Sequence, residues 1–257
     1  MLSTMNIHYQ AGGKKILQGI DVDFEPGSFH VIVGPNGCGK STFLKVFSGE
    51  LKPREGTVTY DGKDVFKMDK AKLAQRRAVL SQQPALFFPL SVEEVVMMGR
   101  YPHFDFQPGP KDEAICGEAL QRADMADFRE REYLTLSGGE KQRVQFARVL
   151  AQIWEQKDAT RYLFLDEAIS HLDLKHQLQL LTVSRALSRK GVTVIAILHD
   201  LNLSMSFGDR ILFMKEGKMV ADVRDHAQVT TELIREVFDV EVRIMRQGEG
   251  EVPVMVM

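Results

Sequence analysis

A run of nine residues, Gly34 to Thr42, constrains the fold of this chain more than any other feature of its sequence. The run reads Gly-Pro-Asn-Gly-Cys-Gly-Lys-Ser-Thr, and it lies between two apolar segments, residues 29–33 and 43–47. A glycine-rich turn between a buried strand and a helix is typical of α/β proteins with a parallel sheet. The sequence therefore predicts an α/β fold whose first helix begins at this turn.

The same run has the composition of a phosphate-binding loop, or P-loop. Three positions let the backbone turn its N–H groups inward onto a phosphate: Gly34, Gly37 and Gly39. The helix that follows adds the partial positive charge of its N-terminus. We expect Lys40 to reach the β- and γ-phosphates of a nucleotide, Ser41 to bind Mg²⁺, and Thr42 to bind another phosphate oxygen.

Composition excludes several classes of protein. The chain is 44% hydrophobic and 26% charged, and its formal net charge of -2 gives no electrostatic signature of nucleic-acid binding. The two cysteines, Cys38 and Cys116, are too few for a disulfide framework, and Cys38 is expected to be a small loop residue and not a nucleophile. We find neither a signal peptide nor an apolar run of membrane-spanning length, so any membrane role is expected to be peripheral.

A second candidate anion-binding helix start lies in the sequence Leu-Ser-Gly-Gly-Glu. Ser137 and Glu140 have the spacing of a capping box, while Gly138 and Gly139 leave backbone N–H groups open to a ligand. Apolar residues recur on one face of the helix that follows, as far as Trp154. We interpret Trp154 as an anchor of the core or of a subdomain.

Two apolar runs end in residues that suit nucleotide chemistry. Residues 161–165 lead to Asp166 and Glu167, and residues 192–198 lead to His199. The carboxyl ends of parallel strands form the ligand-binding edge of an α/β sheet. Asp166 suits Mg²⁺ and Glu167 suits a water molecule, whereas His199, taken alone, is more typical of a histidine at the edge of a core.

The rest of the chain separates into a β-rich body and a helical insertion. Ile20, Val22 and Phe24 alternate with acidic residues, as in a half-buried strand. Helical signals replace this pattern from about residue 84 to residue 151, among them a capping box at Ser91 and Glu94. We therefore expect an inserted helical subdomain.

Two residues have competing interpretations. Tyr9 precedes a turn of small residues and either packs on a strand or stacks on a nucleotide base. His103 is a single loop histidine, and we expect an ordinary surface position for it instead of a metal site.

A P-loop, then Leu-Ser-Gly-Gly, then a strand ending in Asp-Glu, then a strand ending in His resembles the nucleotide-binding subunit of ATP-binding cassette (ABC) transporters. The resemblance covers essentially the whole chain and implies one domain over residues 1–257. It implies a RecA-like α/β core with an N-terminal antiparallel β-subdomain and the inserted helical subdomain at about 84–151. It also matches Tyr9 to the family's adenine-stacking aromatic residue and Gln82 to its subdomain-joining glutamine.

The resemblance implies ATP hydrolysis with Mg²⁺, in a homodimer that holds ATP between two cassettes. Besides Tyr9, it places these residues at the nucleotide: Gly34, Pro35, Asn36, Gly37, Cys38, Gly39, Lys40, Ser41, Thr42, Ser137, Gly138, Gly139 and Asp173. The implied Mg²⁺ ligands are Ser41, Gln82 and Asp166. The implied catalytic residues are Lys40, Gln82, Glu167 and His199. Glu167 would polarise the attacking water, and His199 would contact the γ-phosphate.

Finer resemblance concerns the transported substrate. Residues 92–103 and 172–177 resemble the importer branch for iron-siderophores, cobalamin and haem, and residues 150–154 are similar to haemin-importer ATPases. This implies haem import, with an iron-siderophore or cobalamin as the alternative. The implied partners are two integral-membrane permease subunits and, indirectly, a periplasmic or surface substrate-binding protein, with no nucleic acid. The chain would lie peripherally at the cytoplasmic face of the inner, or plasma, membrane.

One stretch departs from the family pattern. The family reads Pro-Thr-Ser-Ala-Leu-Asp after the catalytic glutamate, whereas this chain reads Ala-Ile-Ser-His-Leu-Asp at residues 168–173. Loss of the proline relaxes a locked dihedral angle, and Ile169 and His171 place larger groups near the expected dimer interface. A regulatory cassette without transport activity is therefore one alternative. A soluble cassette that acts on ribosomes or DNA is another, but a single P-loop without heptads or a basic tail disfavours it.

Overall fold

The computed structural model describes residues 1–81, 86, 88–155, 159–170, 172–245 and 254–256. The chain forms two compact units, one of Met1–Lys67 with Thr193–Met257 and one of Met68–Val192. The strands are β1 (Leu2–Ala11), β2 (Lys14–Phe24), β3 (Phe29–Val33), β4 (Glu55–Tyr60), β5 (Lys63–Asp64), β6 (Arg77–Leu80), β7 (Arg161–Asp166), β8 (Val192–Ile197), β9 (Arg210–Lys215), β10 (Lys218–Val223), β11 (Arg243–Met245) and β12 (Val254–Val256). The α-helices are α1 (Lys40–Phe47), α2 (Lys70–Arg76), α3 (Val92–Met97), α4 (Pro110–Arg122), α5 (Gly138–Gln152), α6 (Leu174–Ser188), α7 (Leu201–Phe207) and α8 (Thr231–Phe238).

The first unit contains an antiparallel sheet with the strand order β2-β1-β4-β5. In β2 the side chains of Ile20, Val22 and Phe24 are buried while the acidic residues between them are exposed, as the alternation predicts. One face of this sheet therefore contributes to the core, and the other faces solvent.

The first unit also contains the strands that lead to the P-loop. β3 lies between β8 and β9 and is parallel to both, and β10 is antiparallel to β9. Every residue of β3 and β8 is buried. Continuous burial is the property of parallel strands that are covered on both faces.

The second unit contains the helices predicted for the insertion. α5 packs against α3 and α4, and β6 pairs in parallel with β7. α3 begins at the predicted capping box, in which the Ser91 hydroxyl accepts from Glu94 N–H and the Glu94 carboxylate accepts from Ser91 N–H. The α/β fold class with an antiparallel β-subdomain and a parallel P-loop sheet is thus confirmed, while the limits 84–151 of the helical subdomain stay a prediction.

An ionic cluster in the second unit is centred on the buried side chain of Arg100. The guanidinium of Arg100, whose side chain is 1% exposed, donates to Asp112 Oδ1 at 2.8 Å, to Ala151 O at 2.9 Å and to Glu155 Oε2 at 3.0 Å. Lys111 completes the cluster with an ion pair to Glu155. We call Arg100, Lys111, Asp112 and Glu155 the Arg100 cluster.

The expected surface position of His103 is wrong. Its side chain is only 4% exposed, its Nδ1 lies 3.1 Å from Glu155 Oε2, and its Nε2 lies 2.8 Å from Gln152 O. Because Arg100 binds the same Glu155 carboxylate, His103 packs against the Arg100 cluster. No helix in the described ranges is both long enough and apolar enough to cross a membrane.

Candidate nucleotide-binding and catalytic residues

Two glycines shape the P-loop between β3 and α1. Gly34 has φ +154°, and a Cβ atom there would lie 2.1 Å from the carbonyl oxygen of Met214. Gly39 has φ +109°, and a Cβ atom there would lie 2.9 Å from the carbonyl oxygen of Ile16. Because neighbouring strands approach the loop backbone this closely, only glycine fits at these two positions.

Lys40 is the first residue of α1 and is 4% exposed. Its ammonium group donates to Gly34 O at 2.8 Å and to Pro35 O at 3.0 Å, so the side chain is held over the loop. A phosphate that binds the backbone N–H groups of the loop would meet this charge and the N-terminus of α1 together. Ser41 and Thr42 follow in the first turn of the helix and are half-buried.

A cavity of about 470 Å³ opens beside the P-loop in the first unit. It is lined by Pro35, Asn36, Gly37 and Cys38, by residues at the start of β2, and by the turn between β9 and β10. The lining has three lysines, Lys14, Lys15 and Lys215, against two carboxylates, Glu216 and Asp239, and Lys215 pairs with Asp239 at 3.1 Å. Its volume and charge suit part of a nucleotide.

Tyr9 does not line this cavity. It lies in β1 opposite Leu17 of β2 and is half-buried. Its position fits either interpretation made from the sequence, so base stacking by Tyr9 stays a prediction.

Cys38 has the expected structural role within the loop. Its side chain is 7% exposed, and its carbonyl oxygen accepts from Gly217 N–H at 2.9 Å, which ties the P-loop to the turn between β9 and β10. Burial raises the pKa of the Cys38 thiol, and burial likewise raises the pKa of Cys116 to about 12. Both cysteines are free and buried, so neither has the properties of a catalytic nucleophile.

In the second unit, the two candidate carboxylates, Asp166 and Glu167, lie at the end of β7. Asp166, the last residue of the strand, is 7% exposed. Glu167 follows with φ +51°, a left-handed conformation that costs a non-glycine residue about 1 kcal/mol or more. The Glu167 carbonyl accepts from Ser170 N–H at 3.3 Å and from Ser170 Oγ at 2.9 Å. Backbone strain of this kind clusters at functional sites, which supports Glu167 as a functional residue.

Sequence reasoning missed a residue that fixes this turn. The buried amide of Gln142, on α5, donates to Ala168 O at 3.0 Å. The helix that begins at Ser137 is therefore bonded directly to the turn that carries Glu167. The sequence signal was weak, because Gln142 is one of two glutamines, with Gln145, that this helix buries. Ile169, which we expected near a dimer interface, is 7% exposed and belongs to the core of this unit.

The start of α5 has the predicted capping box. Ser137 Oγ accepts from Glu140 N–H at 3.4 Å, and Glu140 Oε2 accepts from Ser137 N–H at 2.7 Å. The hydrogen bond from the Ser137 hydroxyl lowers the pKa of Glu140, so the carboxylate stays ionised at the positive end of the helix. Ser137 and Gly138 are exposed, with Gly139 half-buried, so this helix start is open to a ligand.

Asp173 caps α6, where its Oδ1 accepts from His176 N–H at 2.9 Å and lies 2.7 Å from His176 Nδ1. The backbone hydrogen bond from His176 lowers the pKa of Asp173, whose side chain is 66% exposed. In the first unit His199 lies exposed just after β8, next to Asp200, which caps α7. Gln82 and His171 lie outside the described residues.

Two residues have the chemistry of ligands to a nucleotide-bound Mg²⁺. Among the residues that the structure describes, no cluster of three or more His, Cys, Asp or Glu side chains could hold a metal ion. Mg²⁺ at phosphates keeps several waters and takes only one or two protein oxygens. The Ser41 hydroxyl and the Asp166 carboxylate are of the required chemical type.

Comparison with known proteins decides the family. The family model for ABC transporters matches residues 17–170. The chain belongs to the ABC transporter family. As an ABC protein it is an ATP-binding cassette, and the predicted membership is confirmed.

Relatives align with this ABC protein over nearly its full length. A protein of Gloeobacter violaceus named Hemin import ATP-binding protein HmuV is 42% identical over 100% of this chain and 94% of its own. A protein of Mesorhizobium japonicum with the same name is 41% identical over 98% of this chain and 97% of its own.

Solved structures agree on the fold. An inward-facing ABC transporter of the metal-chelate type matches 99% of this chain and 95% of its own, with a TM-score of 0.80 and 23% identity. A dimeric ATP-binding cassette bound to ADP and Pi matches 87% of this chain and 98% of its own, with a TM-score of 0.76 and 27% identity.

Proposed function

We propose that this ABC protein is the ATPase that energises import of haemin through a membrane permease. The observation that carries the proposal is the full-length similarity to proteins named as hemin import ATP-binding proteins. The P-loop geometry and the strained backbone of Glu167, just after β7, support the ATPase activity. We place the chain at the cytoplasmic face of the plasma membrane, bound to two permease subunits that receive haemin from a substrate-binding protein.

ATP binding is assigned to the P-loop and the N-terminus of α1. The loop backbone N–H groups bind the phosphates, Lys40 neutralises the β- and γ-phosphates, and Tyr9 stacks on the adenine. Ser41 and Asp166 would hold Mg²⁺, together with Gln82, and the ion would neutralise negative charge on the phosphates.

Hydrolysis is assigned to Glu167. Its carboxylate orients a water molecule and accepts a proton from it as the water oxygen bonds to the γ-phosphorus. The bond between that phosphorus and the bridging oxygen breaks, so ADP and inorganic phosphate leave. His199 donates to the γ-phosphate oxygens, where negative charge is spread in the transition state.

The proposed assembly is a homodimer. The exposed N-terminus of α5, with Ser137 and Gly139, would cover the ATP of the second copy, and Asp173 would lie near the same nucleotide. A related cassette of 27% identity is dimeric with ADP and Pi, which supports this arrangement. Because Gln142 joins α5 to the Glu167 turn, closure of the dimer would act directly on the catalytic carboxylate.

The test is ATP hydrolysis by the chain reconstituted with its permease in liposomes. Binding protein is added empty, loaded with haemin, or loaded with an iron-siderophore or cobalamin. Stimulation by the haemin-loaded form alone is expected, and Glu167→Gln should abolish it while ATP binding persists. Stimulation only by another loaded form would refute haemin as the substrate. Hydrolysis that stays negligible with every form would refute the transport role in favour of a regulatory cassette.

A further inference from the structure

A second cavity, of about 260 Å³, lies wholly within the second unit and has no part in the proposed ATPase site. Its walls come from α4, α5, α6 and the start of β7. Leu150 and Leu187 contribute apolar surface, Trp154 contributes an indole ring, and Arg161 lines the interior.

Arg161 is the most informative residue of this cavity. It is only 7% exposed, and its guanidinium donates from one nitrogen to Ile153 O at 2.6 Å and to Trp154 O at 3.2 Å. In the described part of the chain no carboxylate pairs with it, and burial alone lowers the pKa of Arg161. Buried charges are normally paired, so a buried cation that lines a cavity and has no counter-ion among the described residues indicates an anionic ligand.

The remaining lining residues define the rest of the ligand. Besides Arg161, the cavity is lined by two exposed cations, Arg122 and Lys190, and by one carboxylate, Glu118. The lining therefore has an excess of positive charge. An indole ring beside apolar side chains favours a planar apolar group. A cavity of about 150 Å³ accommodates benzene, so this one admits a single ring with an anionic substituent and excludes a porphyrin.

We propose that this cavity binds a small organic anion that combines one planar ring with a phosphate or carboxylate group. Arg161 binds the anionic group in the interior, Lys190 and Arg122 attract it at the mouth, and Trp154 packs on the ring. The site is separate from the proposed ATP site, because none of these residues belongs to the P-loop or to the Glu167 turn.

The chain offers a direct assay, because Trp154 is its single tryptophan and its emission reports this cavity alone. We would titrate the full chain with phenyl phosphate, following Trp154 emission and the heat of binding, with ADP and Mg²⁺ present at saturation to fill the P-loop site. Saturable binding is expected, with benzyl alcohol and inorganic phosphate each at least about 10-fold weaker because each lacks half of the recognised chemistry.

Two variants and a control locate the site. Lys190→Gln should weaken phenyl phosphate binding about 3-fold, whereas Arg189→Gln, a neighbouring exposed cation that does not line the cavity, should leave it unchanged. Arg161→Lys should weaken binding about 10-fold or more, and its circular dichroism spectrum verifies folding. Binding that competes with ADP, tolerates both cavity substitutions, or is matched by inorganic phosphate would overturn the proposal.

Discussion

Replacement of Arg100 by methionine tests whether the Arg100 cluster stabilises the second unit. The side chain is 1% exposed and forms three hydrogen bonds, two of them to carboxylates. Removal of Arg100 leaves Asp112 without its counter-charge and takes away one of the two cations, Arg100 and Lys111, that bind Glu155. Removing one partner from a buried ion pair costs about 3–5 kcal/mol. In a chain of this size that corresponds to a fall in the apparent Tm of about 6 °C or more.

The pH dependence gives a second measure of the same cluster. Burial raises the pKa of Glu155, but hydrogen bonds from Lys111 and Arg100 outweigh it and hold that pKa at about 2. The folded-state pKa thus lies below the value of about 4.3 expected in the unfolded chain. The stabilisation is therefore complete above that unfolded value and is lost as the pH falls towards 2. The stability difference between wild type and Arg100→Met should shrink over this window.

The matched control is Arg129→Met. Arg129 donates to Glu93 Oε2 at 2.7 Å, but its side chain is 46% exposed, so the pair is worth about 1 kcal/mol or less. Thermal unfolding and urea unfolding of both variants, measured by circular dichroism between pH 2 and pH 8, compare a buried arginine with an exposed one. If Arg100→Met loses no more stability at pH 7 than Arg129→Met, the assigned role of the cluster is wrong.

Further predictions concern the proposed ATPase site. Lys40→Ala should lower ATP affinity by about 10-fold or more, and an unchanged Kd in nucleotide titration would contradict the assigned role. Ser137→Ala should abolish most ATPase activity, because Ser137 would no longer cover the ATP of the second copy. The monomer should still fold and bind ATP, because loss of the cap costs only about 1 kcal/mol of helix stability; full activity would refute a role for this helix start. Gln142→Leu should lower kcat about 10-fold or more, with little change in KM for ATP, because Glu167 loses its orientation; a change in KM alone would indicate a binding role. Because burial raises the pKa of both thiols, Cys38 and Cys116 should react with a thiol reagent at pH 8 much more slowly in the folded chain than in urea.

The sequence by itself determined the features that arise from neighbouring residues. The P-loop, the capping boxes at Ser91 and Ser137, and the buried strands each depend on spacing over a few positions, and each lies where the pattern predicts it. Their hydrogen bonds and burial periods are local, so the order of residue types is sufficient to recognise them. The family resemblance then combined these local patterns into a fold and an activity.

Only the tertiary structure decided the contacts between distant positions. Gly34 must be glycine because of the carbonyl of Met214, which lies 180 positions later in the chain. Gln142 donates a hydrogen bond to the turn after Asp166. Arg100 pairs with carboxylates of two other segments, Asp112 and Glu155, and His103 is buried against the second of them. No local spacing encodes these pairs, because each depends on how separate elements pack. The cavity around Trp154 and Arg161 has the same origin: four elements must meet before a buried cation faces an apolar space.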